Sequence, residues 1–212
     1  MCRYKAFLFC VLSLGLAGQA LATPITYNVT VNTSSIAGTA GALDFNFNPG
    51  PLTVQAASLQ ILNFSSNGTP AGSPALTGDV NGALPATLTF DNGTGFNDYF
   101  EAFTFGSTLS FDLSLFGPAL SSPDGVSTSG STFGFSMFSD AAGTIPALTT
   151  NTTDGFAFTV NVNLDGTTTV NNFSLQTSGL QTTAVPEPGS LGLVSAGLVI
   201  ALAALRRRYL PN

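Results

Sequence analysis

The chain has 212 residues, a formal net charge of −6, no histidine and no tryptophan. Its five basic residues, Arg3, Lys5, Arg206, Arg207 and Arg208, all lie at the two ends, so nothing between Thr23 and Ala184 can neutralise phosphate, and nucleic acid is excluded as a partner. Without His, Cys or Lys in that stretch, the usual nucleophile pairs and a His- or Cys-ligated zinc site are excluded as well.

The amino terminus reads as an export signal. Arg3 and Lys5 form a positive start, and residues 6–18 form an apolar run too short to span a bilayer comfortably. Ala20 and Ala22 supply the small residues of a cleavage site, which makes 1–22 a signal peptide and Thr23 the first mature residue. Cys10 lacks small residues just before it, so a lipid-modified cysteine is not expected. Cys2 and Cys10 both leave with the signal. The mature protein then has no disulfide and must rely on apolar burial and backbone pairing. Sixteen of the eighteen phenylalanines fall in the mature part and are the obvious core material.

From residue 23 onward apolar and polar side chains alternate. Residues 25–32, 43–48, 109–115 and 156–164 each put one apolar face against one polar face, the pattern of half-buried antiparallel strands. Residues 52–64, 86–90, 99–105, 132–138 and 167–175 add five more, with a slip of phase near Ala56 and Ala57 that predicts a bulge or a change of sheet. Turn pairs such as Asn67-Gly68, Asn81-Gly82, Asp124-Gly125 and Asp165-Gly166 separate them, and the last predicts a hairpin. No window shows a sustained helical stripe. The expectation for 23–175 is an all-β antiparallel sandwich of the jelly-roll type. Recurrent Phe-x-Phe pairs, including Phe156 and Phe158, read as same-face neighbours on buried strands.

Ten acids sit unopposed in the mature part, and carboxylates are the only groups left there for catalysis. No acid pair stands in a recognisable motif, and no enzymatic activity is expected. The densest oxygen cluster runs from Asp91 to Glu101. It offers a calcium site in which Asp91, Asp98 and Glu101 would be ligands. Its spacing does not fit an EF-hand loop, and a turn leading into a strand accounts for the same residues without metal or other cofactor. Phe96, Tyr99, Asn92 and Asn97 could form a modest sugar-binding loop. Tyr27 falls in the apolar register of the first strand and is expected in the core.

Residues 176–184 are small and polar and read as a linker. Beyond them come Val185, Pro186, Glu187 and Pro188, an extended segment because each proline fixes φ and lacks an N–H. An uncharged apolar run follows at 191–205. With Gly189 and Ser190 it gives a helix over 189–205 that is marginally long enough to cross a membrane. Arg206, Arg207 and Arg208 would hold its end on the cytoplasmic side.

This order of parts, over 185–212, resembles the PEP-CTERM sorting domain of Gram-negative bacterial surface proteins. The resemblance implies a membrane-embedded partner of the exosortase type that recognises Val185, Pro186, Glu187 and Pro188 and cuts near them. It further implies an inner-membrane intermediate held by the C-terminal helix, then delivery to the cell envelope surface or the extracellular exopolysaccharide matrix. The expected role is that of an exported, non-enzymatic surface or matrix protein. A carbohydrate- or calcium-dependent binding module of the matrix is the alternative.

Overall fold

Period-two alternation places one face of each strand inside. In the first strand Tyr27, Val29 and Val31 are buried while Asn28, Thr30 and Asn32 are exposed. A computed structural model describes residues 24–182. The stretch read as a signal peptide, with Ala20 and Ala22, the sorting tetrapeptide, the apolar run and the three terminal arginines lie outside the described residues.

The strands in chain order are β1 (Ile25–Asn32), β2 (Ala40–Pro49), β3 (Ser58–Ser66), β4 (Thr69–Pro70), β5 (Ala75–Thr77), β6 (Val80–Asn81), β7 (Leu88–Asp91), β8 (Asp98–Thr104), β9 (Thr108–Phe116), β10 (Ser131–Phe138), β11 (Phe156–Val162), β12 (Thr168–Asn172) and β13 (Thr177–Ser178). One sheet has the order β13-β1-β9-β3-β7-β6, and the other has β12-β11-β10-β2-β8-β4 with β5 also on β8. Every pairing is antiparallel. Two antiparallel sheets facing each other across an apolar interior make the expected all-β sandwich. The helical pieces are a 3-10 turn at Ser34–Ile36 and a short α1 at Pro118–Ser121. Among the described residues no helix is long and apolar enough to cross a membrane.

The core is aromatic at its centre. Phe111 of β9 reaches from one sheet to Phe45 and Phe135 of the other, with ring centroids 5.3 and 5.2 Å away and planes near perpendicular. Phe135 in turn meets Phe158 at 5.7 Å. Edge-to-face pairs of this kind add about 0.5–1.5 kcal/mol each beyond the area they bury. Tyr27 is in the core as expected, and its hydroxyl is 2.7 Å from Thr168 Oγ1 on the opposite sheet.

Four expectations are corrected here. Of residues 176–184, read as a linker, those described, 176–182, instead extend the sandwich beyond 175. Thr177 and Ser178 pair with Val31 and Thr30, and Thr182 forms a bridge to Tyr27. The free edge of β1 offers unpaired N–H and C=O groups, and a Thr-rich segment can satisfy them. The slip expected near Ala56 falls later. The β3–β9 register shifts between Leu62 and Ser65, where Asn63 adopts a φ of 54° that asparagine tolerates. Residues 52–57 are not strand, and the N–H of Ala57 is taken by Asn92 Oδ1 instead.

Phe156 and Phe158, expected on one face, stand on opposite faces. The β10–β11 register moves by one residue after Phe135, so Phe156 lies across from Ser136, and its ring covers Gly134 on the outside. Finally, β4, β5, β6 and β13 were not anticipated, because two or three residues carry no readable period. The hairpin at Asp165-Gly166 is present and joins β11 to β12, with Gly166 at a φ of 81°.

Candidate functional site

The cluster from Asp91 to Glu101 turns out to be a fastening. Asn92 is buried; its Oδ1 accepts from Ala57, and its Nδ2 donates to the Gln55 carbonyl and to Ser131 Oγ. Asn97 is fully buried, with Nδ2 donating to the carbonyls of Phe47 and Thr94 and Oδ1 accepting from the N–H of Asp79 and from Thr94 Oγ1. Two amides thus tie the loop to both sheets. With Tyr99 also fully buried, only Phe96 of the four sugar-loop candidates stays exposed, so the structure does not assemble that surface.

The three calcium candidates do not converge either. Along β8 the side chains of Tyr99, Glu101 and Phe103 point into the sandwich, while Asp98 and Phe100 point out. Asp98 and Glu101 therefore stand on opposite faces of one strand. Asp91 is on β7 in the other sheet and accepts a hydrogen bond from Ser58 Oγ. Glu101 is buried and accepts from the Tyr99 hydroxyl at 2.9 Å, and that hydroxyl in turn accepts from the N–H of Leu84. Burial, partly offset by the Tyr99 hydrogen bond, holds the Glu101 carboxyl above its ordinary range. Among the described residues no three His, Cys, Asp or Glu side chains form a group that could hold a metal ion.

A different pair of acids does meet, on the outer face of the seven-stranded sheet. Register places Phe100, Asp44, Ser136 and Phe156 in one cross-strand row through β8, β2, β10 and β11. The neighbouring row is Asp98, Asn46, Gly134 and Thr159. Asp44 and Asp98 are diagonal neighbours there, and their carboxyls share a hydrogen bond. Asn46 Nδ2 adds a long contact of 3.4 Å to Asp44 Oδ1.

Rings and a loop screen this pair from water. The Phe100 and Phe138 centroids lie 6.4 Å apart, and the β10–β11 loop folds back so that Gly143 sits against both rings and Gly155 against Phe138. A side chain at Gly143 would have its Cβ 2.6 Å from the Phe100 ring. Burial first, then the Asp98 carboxyl beside it, pushes Asp44 up from 3.8 to about 8. Burial likewise raises Asp98, while the hydrogen bond from Asp44 works the other way. Both carboxyls of the pair are thus held above the ordinary carboxylate range. Ser136 is 1% exposed, and its Oγ, across the strand pair from Asp44, has no hydrogen-bond partner. The polar phase of Leu43-Asp44-Phe45-Asn46 is visible in the sequence, but the company that Asp44 keeps depends on register between distant strands.

The matching family model is the PEP-CTERM protein-sorting motif, over residues 184–208. The chain carries a PEP-CTERM sorting motif. The match contains Val185, Pro186, Glu187 and Pro188 together with Arg206, Arg207 and Arg208. It begins just past the last bridge of the sandwich, at Thr182. Such a motif implies an exported protein that an exosortase-type enzyme processes and sorts to the cell envelope or surface. No curated protein and no solved structure matches the chain.

Proposed function

We propose that this protein is a non-enzymatic component of the cell envelope or exopolysaccharide matrix, delivered by its sorting motif. The observation that carries the reading is the motif at 184–208, placed directly after a folded acidic sandwich. In this reading residues 1–22 direct export, and the helix at 189–205 holds the chain in the inner membrane with its arginines inside. The exosortase-type enzyme then cuts near Val185, Pro186, Glu187 and Pro188 and releases the sandwich outward.

The composition of the sandwich supports a passive surface role. It has no basic side chain between Thr23 and Ala184, so its net negative charge keeps copies dispersed and soluble. Loop-fastening amides and a phenylalanine core give a rigid body without disulfides. The test is the intact mass of the mature protein recovered from cells. A chain beginning at Thr23 and lacking Arg206, Arg207 and Arg208 is expected. A surface species that still carries the three arginines would end the processing claim.

A further inference from the structure

Among the described residues, four of the seven exposed large apolar side chains stand in loops at one end of the sandwich. Leu52 follows β2, Phe96 precedes β8, Val126 precedes β10 and Leu164 precedes β12, and they are 65, 55, 74 and 51% exposed. Strand register brings these loops to the same end. Pro49 pairs with Ser131 there, and Val162 pairs with Ser131 on one side and Thr168 on the other. Asn92, at the start of the loop that carries Phe96, bonds to both Gln55 and Ser131. Of the other three, Leu76 is on the edge strand β5, and Ile145 and Leu175 lie at the opposite end, past β10 and past β12. Each of the four sits among turn formers, such as Pro123-Asp124-Gly125 before Val126, and turn chemistry asks for none of them.

These loops are laced to one another, so the four side chains form a fixed set. The N–H groups of Thr128 and Ser129 both donate to the Thr53 carbonyl, and the N–H of Gly50 donates to the Gly130 carbonyl. The N–H of Asn97 donates to Asn48 Oδ1. A Cβ on Gly166 would meet the Leu120 carbonyl at 2.9 Å, so the β11–β12 turn rests on α1. The last described residue lies at this end too. Past β13 the chain runs antiparallel to β1 and brings Thr182 beside Tyr27, near the start of that strand. Ile25, at that start, pairs with Leu115, one residue before β9 ends and leads into α1. Gly189, where the anchoring helix begins in the function proposed above, is seven residues beyond Thr182, a reach of at most about 25 Å.

We propose that this end of the sandwich docks on a zwitterionic phospholipid bilayer through Leu52, Phe96, Val126 and Leu164 while the chain is anchored. The inference rests on the anchored intermediate of the proposed function and adds which face of the sandwich meets the membrane. Apolar side chains are stabilised by leaving water, but four separate loop residues bury little area and bind weakly alone. The short tether makes the weak contact count, because it holds these loops at a high local concentration beside the lipid. Charge selects the kind of lipid. Asp124 and Asp165 share these loops, and no basic side chain lies between Thr23 and Ala184, so an anionic surface repels this end. Cutting the tether removes the local concentration, and the sandwich then leaves the membrane.

The experiment uses the full chain from Thr23 to Asn212, reconstituted in phosphatidylcholine vesicles. That chain has no cysteine, so a single introduced one can carry an environment-sensitive dye. Val126→Cys and Leu164→Cys read the docking end, and Ile145→Cys and Leu175→Cys read the opposite end. Expected at the docking end are blue-shifted emission and quenching by lipid-borne spin labels several-fold stronger than at the opposite end. Combining Leu52→Ser, Phe96→Ser and Leu164→Ser with the dye at 126 should abolish the shift, and all three residues are exposed, outside the core. A chain that does not float with the vesicles would remove the anchored intermediate, and this docking with it. A chain that floats but gives the same aqueous emission at both ends would overturn the docking alone. A blue shift without quenching by the lipid labels would mean that protein covers this end, a second copy if the shift grows with protein density, and would also overturn it. An equal shift on phosphatidylglycerol vesicles would overturn the choice of a zwitterionic surface.

Discussion

Asp112 and Asp44 stand on the outer faces of the two sheets, both half-buried on central strands, yet their surroundings differ. On the six-stranded sheet Asn28 Nδ2 lies 2.6 Å from Asp112 Oδ1, and Asn63 Nδ2 lies 2.7 Å from Oδ2. Each oxygen of that carboxylate has its own amide donor. On the seven-stranded sheet Asp44 has a second acid as neighbour, two phenylalanines in its row and a single long amide contact. In a domain without lysine or arginine, amides and hydroxyls are the side-chain donors available to a carboxylate. Where they are scarce and burial is deep, as at Asp44, the group holds its proton more tightly. The difference comes from cross-strand company, since the residue type is the same.

The largest expected effect removes the scaffold that both faces share. Phe135 touches Phe45, Phe111 and Phe158, so Phe135→Ala opens a cavity where the sheets meet. It should cost about 3–5 kcal/mol in a urea unfolding curve. A loss below about 1 kcal/mol would mean that the two faces do not rest on a common core.

Acidity separates the faces next. The Asp44 pKa is about 8 in the folded protein against an ordinary 3.8, so the unfolded chain gives up its proton first as pH rises. The stabilisation is therefore complete below the ordinary value and is lost progressively up to about pH 8. Asp98 and Glu101, raised as well, act in the same direction. Asp124 and Asp165 are lowered, Asp124 chiefly by hydrogen bonds from Ser127 and Asp165 by those from Thr167; their contribution is lost as pH falls through their folded values. Melting midpoints measured across pH without divalent cations should peak in mild acid and fall by several degrees toward pH 8, each kcal/mol lost counting for about 2–4 °C. Asp44→Asn should flatten the alkaline side of that curve. An unchanged slope in the variant would show that the pair does not hold its proton as described.

A smaller effect tests the screen over the acid pair. A Cβ at Gly134 would come 2.3 Å from Phe156 Cε1, so Gly134→Ala must displace the ring that covers that part of the sheet. Because a ring can give way more easily than backbone, the expected cost lies near the low end of the roughly 1–3 kcal/mol typical of overpacking. The displaced ring should also let water reach the row of Asp44 and Ser136. The fall of stability with pH should then become shallower, which equilibrium unfolding at two pH values would reveal.

Much of this frame could be read from residues, and what could not has a common cause. Strands of five or more alternating residues, such as β1, β9 and β10, announce themselves because one face must be buried. Strands of two or three residues, such as β4 and β13, form because an edge needs partners, and local sequence does not carry that need. The same holds for the acids. Composition picked out the run from Asp91 to Glu101 by density, but density along a chain places Asp98 and Glu101 on opposite faces of a strand. The acids that do meet, Asp44 and Asp98, are brought together by the β2–β8 register. The sorting motif is the opposite case. It is linear, read by a partner from a few consecutive residues, and so it was legible at once.

The smallest effect is expected on the six-stranded sheet, and it is the sharpest control. Asp112→Ala removes the acceptor of two amides, but Asn28 and Asn63 remain in contact with water and can turn to it. The loss in a urea unfolding curve should be about 0.5–1.5 kcal/mol, the net value of ordinary hydrogen bonds. A larger loss would show that the two amides need Asp112 as more than an acceptor that water can replace. The contrast between the faces would then lie in degree of burial rather than in the supply of donors.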